Sequence, residues 1–268
     1  MISLYIGIDP SINSTGICIQ AYRDDEELFV KFYIVHGGKL KKKEIIAGEY
    51  FSDIFQYVQY EKIDTREFKN KDNHKFELAK TKNLVSIAKS IDSIVLAVER
   101  VLSYDYPMDD IEKYVTIESN SFNSRQNSVS LIELCGLNYL IRSIYFDKPG
   151  TTLIIVTPSE IKKYATSKGN ADKDLIELVF KTKYSDLVES DIKTDDIADA
   201  YFMSNYSREV SFGSKSDFVK DNELTNLVKE VFEKKKIKQK QERVKAKFEK
   251  QSEIADKNKI SEVLLNSI

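Results

Sequence analysis

Four acidic residues in this chain are of the type and spacing that metal-dependent chemistry uses. Asp9 closes a strand-like segment directly before Pro10, and Glu99 closes the apolar run SIVLAVE. Asp196 and Asp199 are three residues apart in DDIADAYFM, so a helix presents both on one face. Each acid at the end of an apolar strand has an alternative explanation, because a strand that ends there simply meets solvent.

Taken together, the four acids predict a metal centre. Carboxylates that converge within a few ångströms repel one another unless a cation neutralises them, and their oxygens favour a hard divalent ion such as Mg²⁺ or Mn²⁺. Two such ions, about 3.5 to 4 Å apart, activate water and stabilise the leaving oxygen in phosphodiester cleavage. We therefore expect two Mg²⁺ ions per active site, with Mn²⁺ as a possible substitute.

The elements that must position these acids follow an α/β pattern. β-branched and aromatic runs at 2–9, 15–21 and 28–35 predict an antiparallel meander of three strands. Near-continuous apolar runs at 93–99 and 151–158 predict two buried parallel strands. The predicted fold is a mixed five-stranded sheet flanked by helices. The predicted helices cover residues 49–58, 78–91, 125–145, 159–165, 171–182 and 193–206.

The composition divides the chain into a domain and an appendage. Its 268 residues are ample for one large domain, which we place at 1–210, with polar insertions near 37–77 and 103–123. Beyond it, 211–268 is predicted to be a basic helical appendage. Residues 229–250 carry ten Lys and Arg against four acidic residues, an excess of six positive charges.

Composition also narrows the class of protein. The formal net charge of −2 does not by itself indicate a nucleic-acid partner. Cys18 and Cys135 sit in apolar runs, and with His36 and His74 spread along the chain they form no zinc-ligand pattern. No apolar run approaches the ~18 residues of a membrane span. Met1 leads directly into a strand-like segment without a basic leader. We expect no membrane association and a cytoplasmic location, in a bacterial or an infected host cell.

Three motifs resemble those of the RuvC family of Holliday-junction resolvases. GIDPSINSTG, residues 7–16, is similar to the opening motif, whose G-I-D-P hairpin supplies the first metal-binding Asp. VTPSEIKKYATSKGNADKD, residues 156–174, is similar to the second signature, and DIADA, residues 196–200, resembles the terminal D-x-A-D-A helix. The motifs occur in family order and span almost all of residues 1–206.

The resemblance implies an RNase H-like fold and assigns roles to particular residues. The metal ligands that it implies are Asp9, Glu99, Asp196 and Asp199. It adds Lys162 and Lys173 to the catalytic group, at the scissile region or a neighbouring phosphate, which suits a point charge on a flexible stem. The lysines predicted to bind DNA are Lys162, Lys163, Lys168 and Lys173. Lysines in a polar loop are otherwise simply solvated.

The resemblance implies a Mg²⁺-dependent endonuclease that resolves four-way DNA junctions by symmetric paired nicks. A twofold junction calls for two active sites in register, so a homodimer is expected. The helix at 125–145 resembles the family's dimer-forming helix, although its apolar face also fits core packing. The extra segments and the Lys-rich composition lead us to expect a bacteriophage or other viral member.

Two alternatives stay open at this point. The same carboxylates serve other RNase H-like nucleases that act on branched DNA, flaps or RNA–DNA hybrids. A nucleotide-binding protein of the actin and sugar-kinase type also has a phosphate loop after its first strand. That class needs a second Asp-Gly-Gly loop, which we do not find in this chain of nine glycines.

Overall fold

The computed structural model describes most of the chain and divides it into two compact units, Met1–Val219 and Lys220–Ile268. The described residues are 1–120, 128–190, 192, 194–213, 226, 228–238, 240–242 and 245. In the second unit, residues 228–238 and 240–242 are helical. Within the described ranges, no helix has the length and apolar character needed to cross a membrane.

Six strands form one mixed sheet in the described part of the first unit. They are β1 (Ile2–Asp9), β2 (Ser14–Arg23), β3 (Glu26–His36), β4 (Phe55–Gln59), β5 (Ile111–Glu118) and β6 (Thr151–Val156). Their order across the sheet is β4-β3-β2-β1-β5-β6. The first three form an antiparallel meander, β4 runs parallel to β3, and β5 and β6 run parallel to β1. The predicted class, a mixed α/β sheet flanked by helices, is confirmed, with six strands in place of five.

Helices pack against this sheet. They are α1 (Lys42–Tyr50), α2 (Asn73–Leu102), α3 (Ser128–Phe146), α4 (Pro158–Thr166), α5 (Lys173–Lys181), α6 (Ser185–Val188) and α7 (Asp195–Ser211), with 3₁₀ turns at Thr65–Glu67 and Met108–Asp110. Side chains alternate between the faces of a strand. The even-numbered residues of β1 therefore join α2 and α3 in the main apolar core, while α7 packs on the other face.

Two glycines allow α7 to touch the sheet with its backbone. A Cβ built on Gly7 would lie 1.9 Å from the carbonyl oxygen of Ala200, and one on Gly16 would lie 2.2 Å from that of Asp196. Any larger residue would force the helix outward. Since Asp9 shares its face of β1 with Gly7, the close approach brings the start of α7 next to Asp9.

The prediction of a strand at 93–99 is wrong. These residues are the last turns of α2, a 30-residue helix. Ile91, Val95, Val98 and Leu102 are buried with the spacing of one helix face. The parallel strand beside β1 is instead β5 at Ile111–Glu118, within the segment near 103–123 that was predicted to be a polar insertion.

The predicted helix at 49–58 is also wrong, because α1 ends at Tyr50 and β4 follows at Phe55–Gln59. The region 37–77 therefore adds an edge strand to the sheet as well as a helix. The other predicted helices correspond to α2, α3, α4, α5 and α7 within a few residues, apart from the extension of α2. The start of the helix predicted at 125–145 falls on residues 121–127, which lie outside the described residues.

Glu99 is part of a buried ion pair. Its Oε1 lies 2.7 Å from the Nζ of Lys113 on β5, and the two residues are only 2% and 8% exposed. Lys113 lies on the same face of β5 as Ile111, Val115 and Ile117, the apolar residues that face α2 and α3. The Glu99 carboxylate is therefore the partner of a buried ammonium group beneath the sheet, not the end of a strand.

We predict that Glu99→Gln lowers the free energy of unfolding by about 3–5 kcal/mol, because it leaves the Lys113 charge buried without a partner. Urea unfolding measures this change. The double variant Glu99→Gln/Lys113→Met should recover most of the loss, since it removes both charges. Unchanged stability of Glu99→Gln would contradict the structural role given to this ion pair.

Candidate active site

Asp9 and Glu118 end two neighbouring parallel strands. The register pairs Gly7 with Thr116 and Ile8 with Ile117, so the next pair along the strands is Asp9 with Glu118. Adjacent strands lie about 4.8 Å apart. Both acids are on the face that α7 covers, so the two carboxyl groups share one edge of the sheet.

The start of α7 adds further acids to this edge. Asp196 is 5% exposed and accepts a hydrogen bond of 2.7 Å from the Oγ of Ser14 at the start of β2. The charges of Asp199, Glu118 and Asp196 all act on the Asp9 carboxyl. We call Asp9, Glu118, Asp196 and Asp199 the carboxylate cluster.

Burial and mutual repulsion perturb the cluster. Burial, followed by the charges of Asp199, Glu118 and Asp196, raises the pKa of Asp9 well above its usual value. Burial and the charge of Asp199 raise the pKa of Glu118 to about 7. Burial is also the main reason that the pKa of Asp199 rises to about 6, against the opposing charges of nearby lysines. The raised pKa values mean that the positive charge near these carboxyl groups is too weak to offset burial and mutual repulsion.

Two of the predicted lysines are close enough to act on the cluster. The charges of Lys162 on α4 and Lys173 at the start of α5 lower the pKa values of Glu118 and Asp199. Lys173 also donates to the Oδ2 of Asp195 at 3.2 Å. Burial opposes the charged form of Lys173, but Asp195 and the neighbouring acids outweigh it and raise the pKa of Lys173.

Capping holds these two lysines in place. Thr157 and Glu160 form a capping box before α4, with Pro158 in its first turn. Asp172 caps α5 by accepting from the backbone N–H of Leu175 at 3.1 Å. Each lysine is therefore on a helix with a defined start.

The other two predicted DNA-binding lysines lie nearby in the chain. Lys163 is exposed on α4. Lys168 is in the turn between α4 and α5, where its backbone N–H donates to Thr166 Oγ1 at 3.2 Å. A DNA contact by either lysine stays a prediction.

The structure does not place Glu99 in this cluster. Its partner Lys113 precedes Glu118 by five residues on β5, a separation of about 16 Å along the strand, and it faces the opposite side of the sheet. Glu118 occupies the strand-end position that the sequence analysis gave to Glu99. We therefore correct that assignment.

Sequence reasoning missed three participants: Ser14, Glu118 and Asp195. A signal for Glu118 was present, because YVTIE, like LYIGID, is a β-prone run that ends in an acid. The charged Glu112 and Lys113 at the start of the strand obscured it. Ser14 and Asp195 act through contacts between distant elements, so no local pattern marks them.

The donor set fits hard divalent cations in its chemistry. Among the described residues, no three Asp, Glu, His or Cys side chains are placed so that they could hold a metal ion as they stand. Three carboxyl groups of the cluster, those of Asp9, Glu118 and Asp199, nevertheless have raised pKa values, and bound cations would relieve their repulsion.

Comparisons with known proteins give matches among solved structures. No protein-family model matches it, and neither does any curated protein. It is similar to RuvC of Thermus thermophilus, with 16% identity and a TM-score of 0.38 over 80% of this chain and 98% of that one. The same RuvC in complex with a Holliday junction substrate gives 14% identity and a TM-score of 0.38, over 80% and 97% of the two chains.

The yeast mitochondrial Holliday junction resolvase Ydc2 is another similar structure. It has 11% identity and a TM-score of 0.38, over 84% of this chain and 83% of that one. The residue assignments proposed below rest on the contacts of this chain itself.

We predict that Glu118→Gln stabilises the protein in the presence of a chelator, by roughly 1–3 kcal/mol at pH 8. The folded-state pKa of about 7 lies above the ordinary value of 4.5. Between these two pKa values Glu118 is ionised in the unfolded chain but protonated in the folded one. The folded state therefore loses stability as the pH rises from 4.5 to about 7. Urea unfolding at pH 4.5, 6 and 8 should show a gain that grows with pH and is absent at pH 4.5.

Glu189→Gln is the matched control, because a hydrogen bond from Lys181 lowers the pKa of Glu189. Its substitution should give no gain at pH 8. A pH-independent effect of Glu118→Gln would contradict the account of a crowded carboxylate.

Proposed function

We propose that this chain is a metal-dependent endonuclease that cleaves branched DNA, with four-way junctions as its substrate. The observation that carries the proposal is the convergence of Asp9, Glu118, Asp196 and Asp199 beside two lysines. The three sequence motifs that resemble the RuvC family supply these residues, except Glu118. Junction resolution is one of the nuclease activities that such a cluster can support.

In this proposal the carboxylate cluster holds two Mg²⁺ ions, for which Mn²⁺ can substitute. When bound, such ions supply an activated water and stabilise the charge of the leaving oxygen. Ser14 holds the Asp196 carboxylate in place by donating a hydrogen bond of 2.7 Å to its Oδ2. Glu118 takes the ligand role that the sequence analysis assigned to Glu99.

The lysines orient the DNA strand. Lys162 and Lys173 lie where their charges reach the cluster, so each can pair with a phosphate oxygen at or next to the scissile bond. Lys163 and Lys168 provide further phosphate contacts on the same helix and the turn that follows it. Attack of water at phosphorus then leaves a 5′-phosphate and a 3′-hydroxyl.

A homodimer would place two such sites on a twofold junction. Ile132, Tyr139 and Phe146 on α3 are 70%, 63% and 72% exposed. Their spacing of seven residues aligns them on one side of the helix. We propose that this apolar stripe pairs with its counterpart in a second copy of the chain.

Asp9→Asn should abolish cleavage of a synthetic four-way junction while binding stays within about threefold. The rate should fall by more than about 100-fold, since even indirect metal partners cost 10- to 100-fold. Glu118→Gln should behave in the same way. Cleavage assays with strand-labelled junctions, together with fluorescence anisotropy for binding, measure both effects.

Glu99→Gln/Lys113→Met is the matched control for these variants and should keep most of the activity. Undiminished cutting by Asp9→Asn would end the catalytic assignment. Loss of cutting by the double variant, with Glu118→Gln active, would restore Glu99 to the site.

Initial rates on four substrates test the choice within the nuclease class. We expect a four-way junction to be cut faster than a Y-fork, a linear duplex or an RNA–DNA hybrid. Faster cleavage of the hybrid would favour the other RNase H-like nucleases and contradict junction specificity.

Tyr139→Glu should convert a dimer into a monomer, because it places a charge within the apolar stripe. Light scattering after size-exclusion chromatography would show the molar mass halved, and junction cleavage would change from paired to single nicks. Val101→Glu, at an exposed apolar residue of α2, serves as the control and should stay dimeric. A monomeric wild-type protein that still makes paired nicks would overturn this proposal.

A further inference from the structure

We infer that a cleft next to the turn that follows Asp9 binds one unpaired nucleotide base at the DNA branch, an inference that rests on the proposed function. Its walls are the turn Pro10–Asn13, residues 60–65, and the facing sides of α2 and α3, and its volume is about 570 Å³. We call it the hairpin cleft. Small-molecule sites commonly enclose about 300–1,000 Å³, so an unpaired nucleotide is of a suitable size.

Buried hydrogen bonds build the walls of the hairpin cleft. The hydroxyl of Tyr60 donates to the carbonyl oxygen of Ile12 at 3.3 Å, which joins the outer wall to the catalytic hairpin. The amide of Asn83 on α2 donates to the carbonyl of Ile63 at 3.0 Å and accepts from its N–H at 2.8 Å. Tyr60 and Asn83 are only 5% and 7% exposed. The outer wall is therefore anchored on both sides.

The lining offers both an apolar surface and hydrogen-bonding groups. Leu84, Leu131 and Leu134 supply the apolar part, while the amide of Asn13 and the hydroxyl of Thr65 are polar. A nucleobase has the matching character, with an apolar face and a polar edge. A phosphate alone would gain nothing from the three leucines.

Two lysines, Lys62 and Lys80, are among the described residues that line the cleft. Lys80 pairs with Glu133 at 2.8 Å and with Glu77 at 3.4 Å, so the carboxylate of Glu133 is already neutralised. Lys62 also lines the cleft and is exposed. It can contact the phosphate of a nucleotide whose base enters between the walls.

The position of the hairpin cleft ties it to cleavage. Pro10 directly follows Asp9, and the turn ends four residues beyond that aspartate, a reach of at most about 14 Å. A DNA strand whose phosphate lies on the carboxylate cluster can therefore reach the cleft around the end of β1. A base paired within a duplex would first have to leave the stack to enter the cleft, whereas an unpaired base at a branch is extruded at a lower cost.

Binding measurements with two matched junctions test this inference. One junction carries an unpaired thymidine at the branch point, and the other carries an abasic residue there. Asp9→Asn in the full-length chain, with Mg²⁺, allows affinity to be measured by anisotropy without cleavage. We expect the unpaired base to tighten binding about 10-fold, the range of one stacked base. Equal affinities would overturn the inference.

Variants locate the effect in the hairpin cleft. Thr65→Trp fills the space and should reduce the base preference to about onefold, whereas Thr65→Ser and the distant Lys89→Ala should retain it. A 4-thiothymidine at the unpaired position provides a second measurement that needs no cleft variant. Its photocrosslinks should map to residues 60–65 or to the start of α3. Crosslinks confined to the turn between α4 and α5 would overturn the inference.

These outcomes are separable from the proposed function. If the wild-type chain cuts a fully paired junction but shows no preference for the unpaired base, only the hairpin cleft is disproved. If the base preference is present but no branched DNA is cut with Mg²⁺ or Mn²⁺, the endonuclease proposal fails and the cleft stands as a binding site.

Discussion

Repulsion among the carboxylates that meet at one edge of the sheet is the constraint on which the rest of this molecule depends. Asp9 and Glu118 end adjacent parallel strands, and α7 brings Asp199 toward them. Each carboxyl in this group has a raised pKa because burial and like charge oppose ionisation. A fold has little structural reason to keep such a group. The arrangement is explained if the stability it costs is recovered when cations and a phosphate bind.

The rest of the first unit holds these charges together. Gly7 and Gly16 let the backbone of α7 rest against β1 and β2, and Ser14 ties Asp196 to the hairpin that carries Asp9. On the opposite face, apolar side chains of α2 and α3 support β1 and β5. Burial of this apolar core thus supplies stability that offsets the repulsion among the carboxylates at one edge of the sheet.

Much of this could be predicted from the residues themselves. The meander, the last strand, α7 and the acids Asp9, Asp196 and Asp199 follow from short-range patterns and motifs. The strand wrongly predicted at 93–99 and the missed strand β5 have one cause. A seven-residue apolar run, SIVLAVE, fits either a buried strand or a buried helix, and β5 carries Lys113 because its partner Glu99 comes from α2. Pairing between distant segments decides which run becomes the strand, and no local pattern contains that information.

The most direct test of a shared cation site is anomalous scattering from crystals soaked in Mn²⁺. The account predicts manganese peaks bounded by Asp9, Glu118 and Asp199, with Asp196 at their margin. Peaks beside Glu99, or none at the carboxyl ends of β1 and β5 at saturating Mn²⁺, would contradict it.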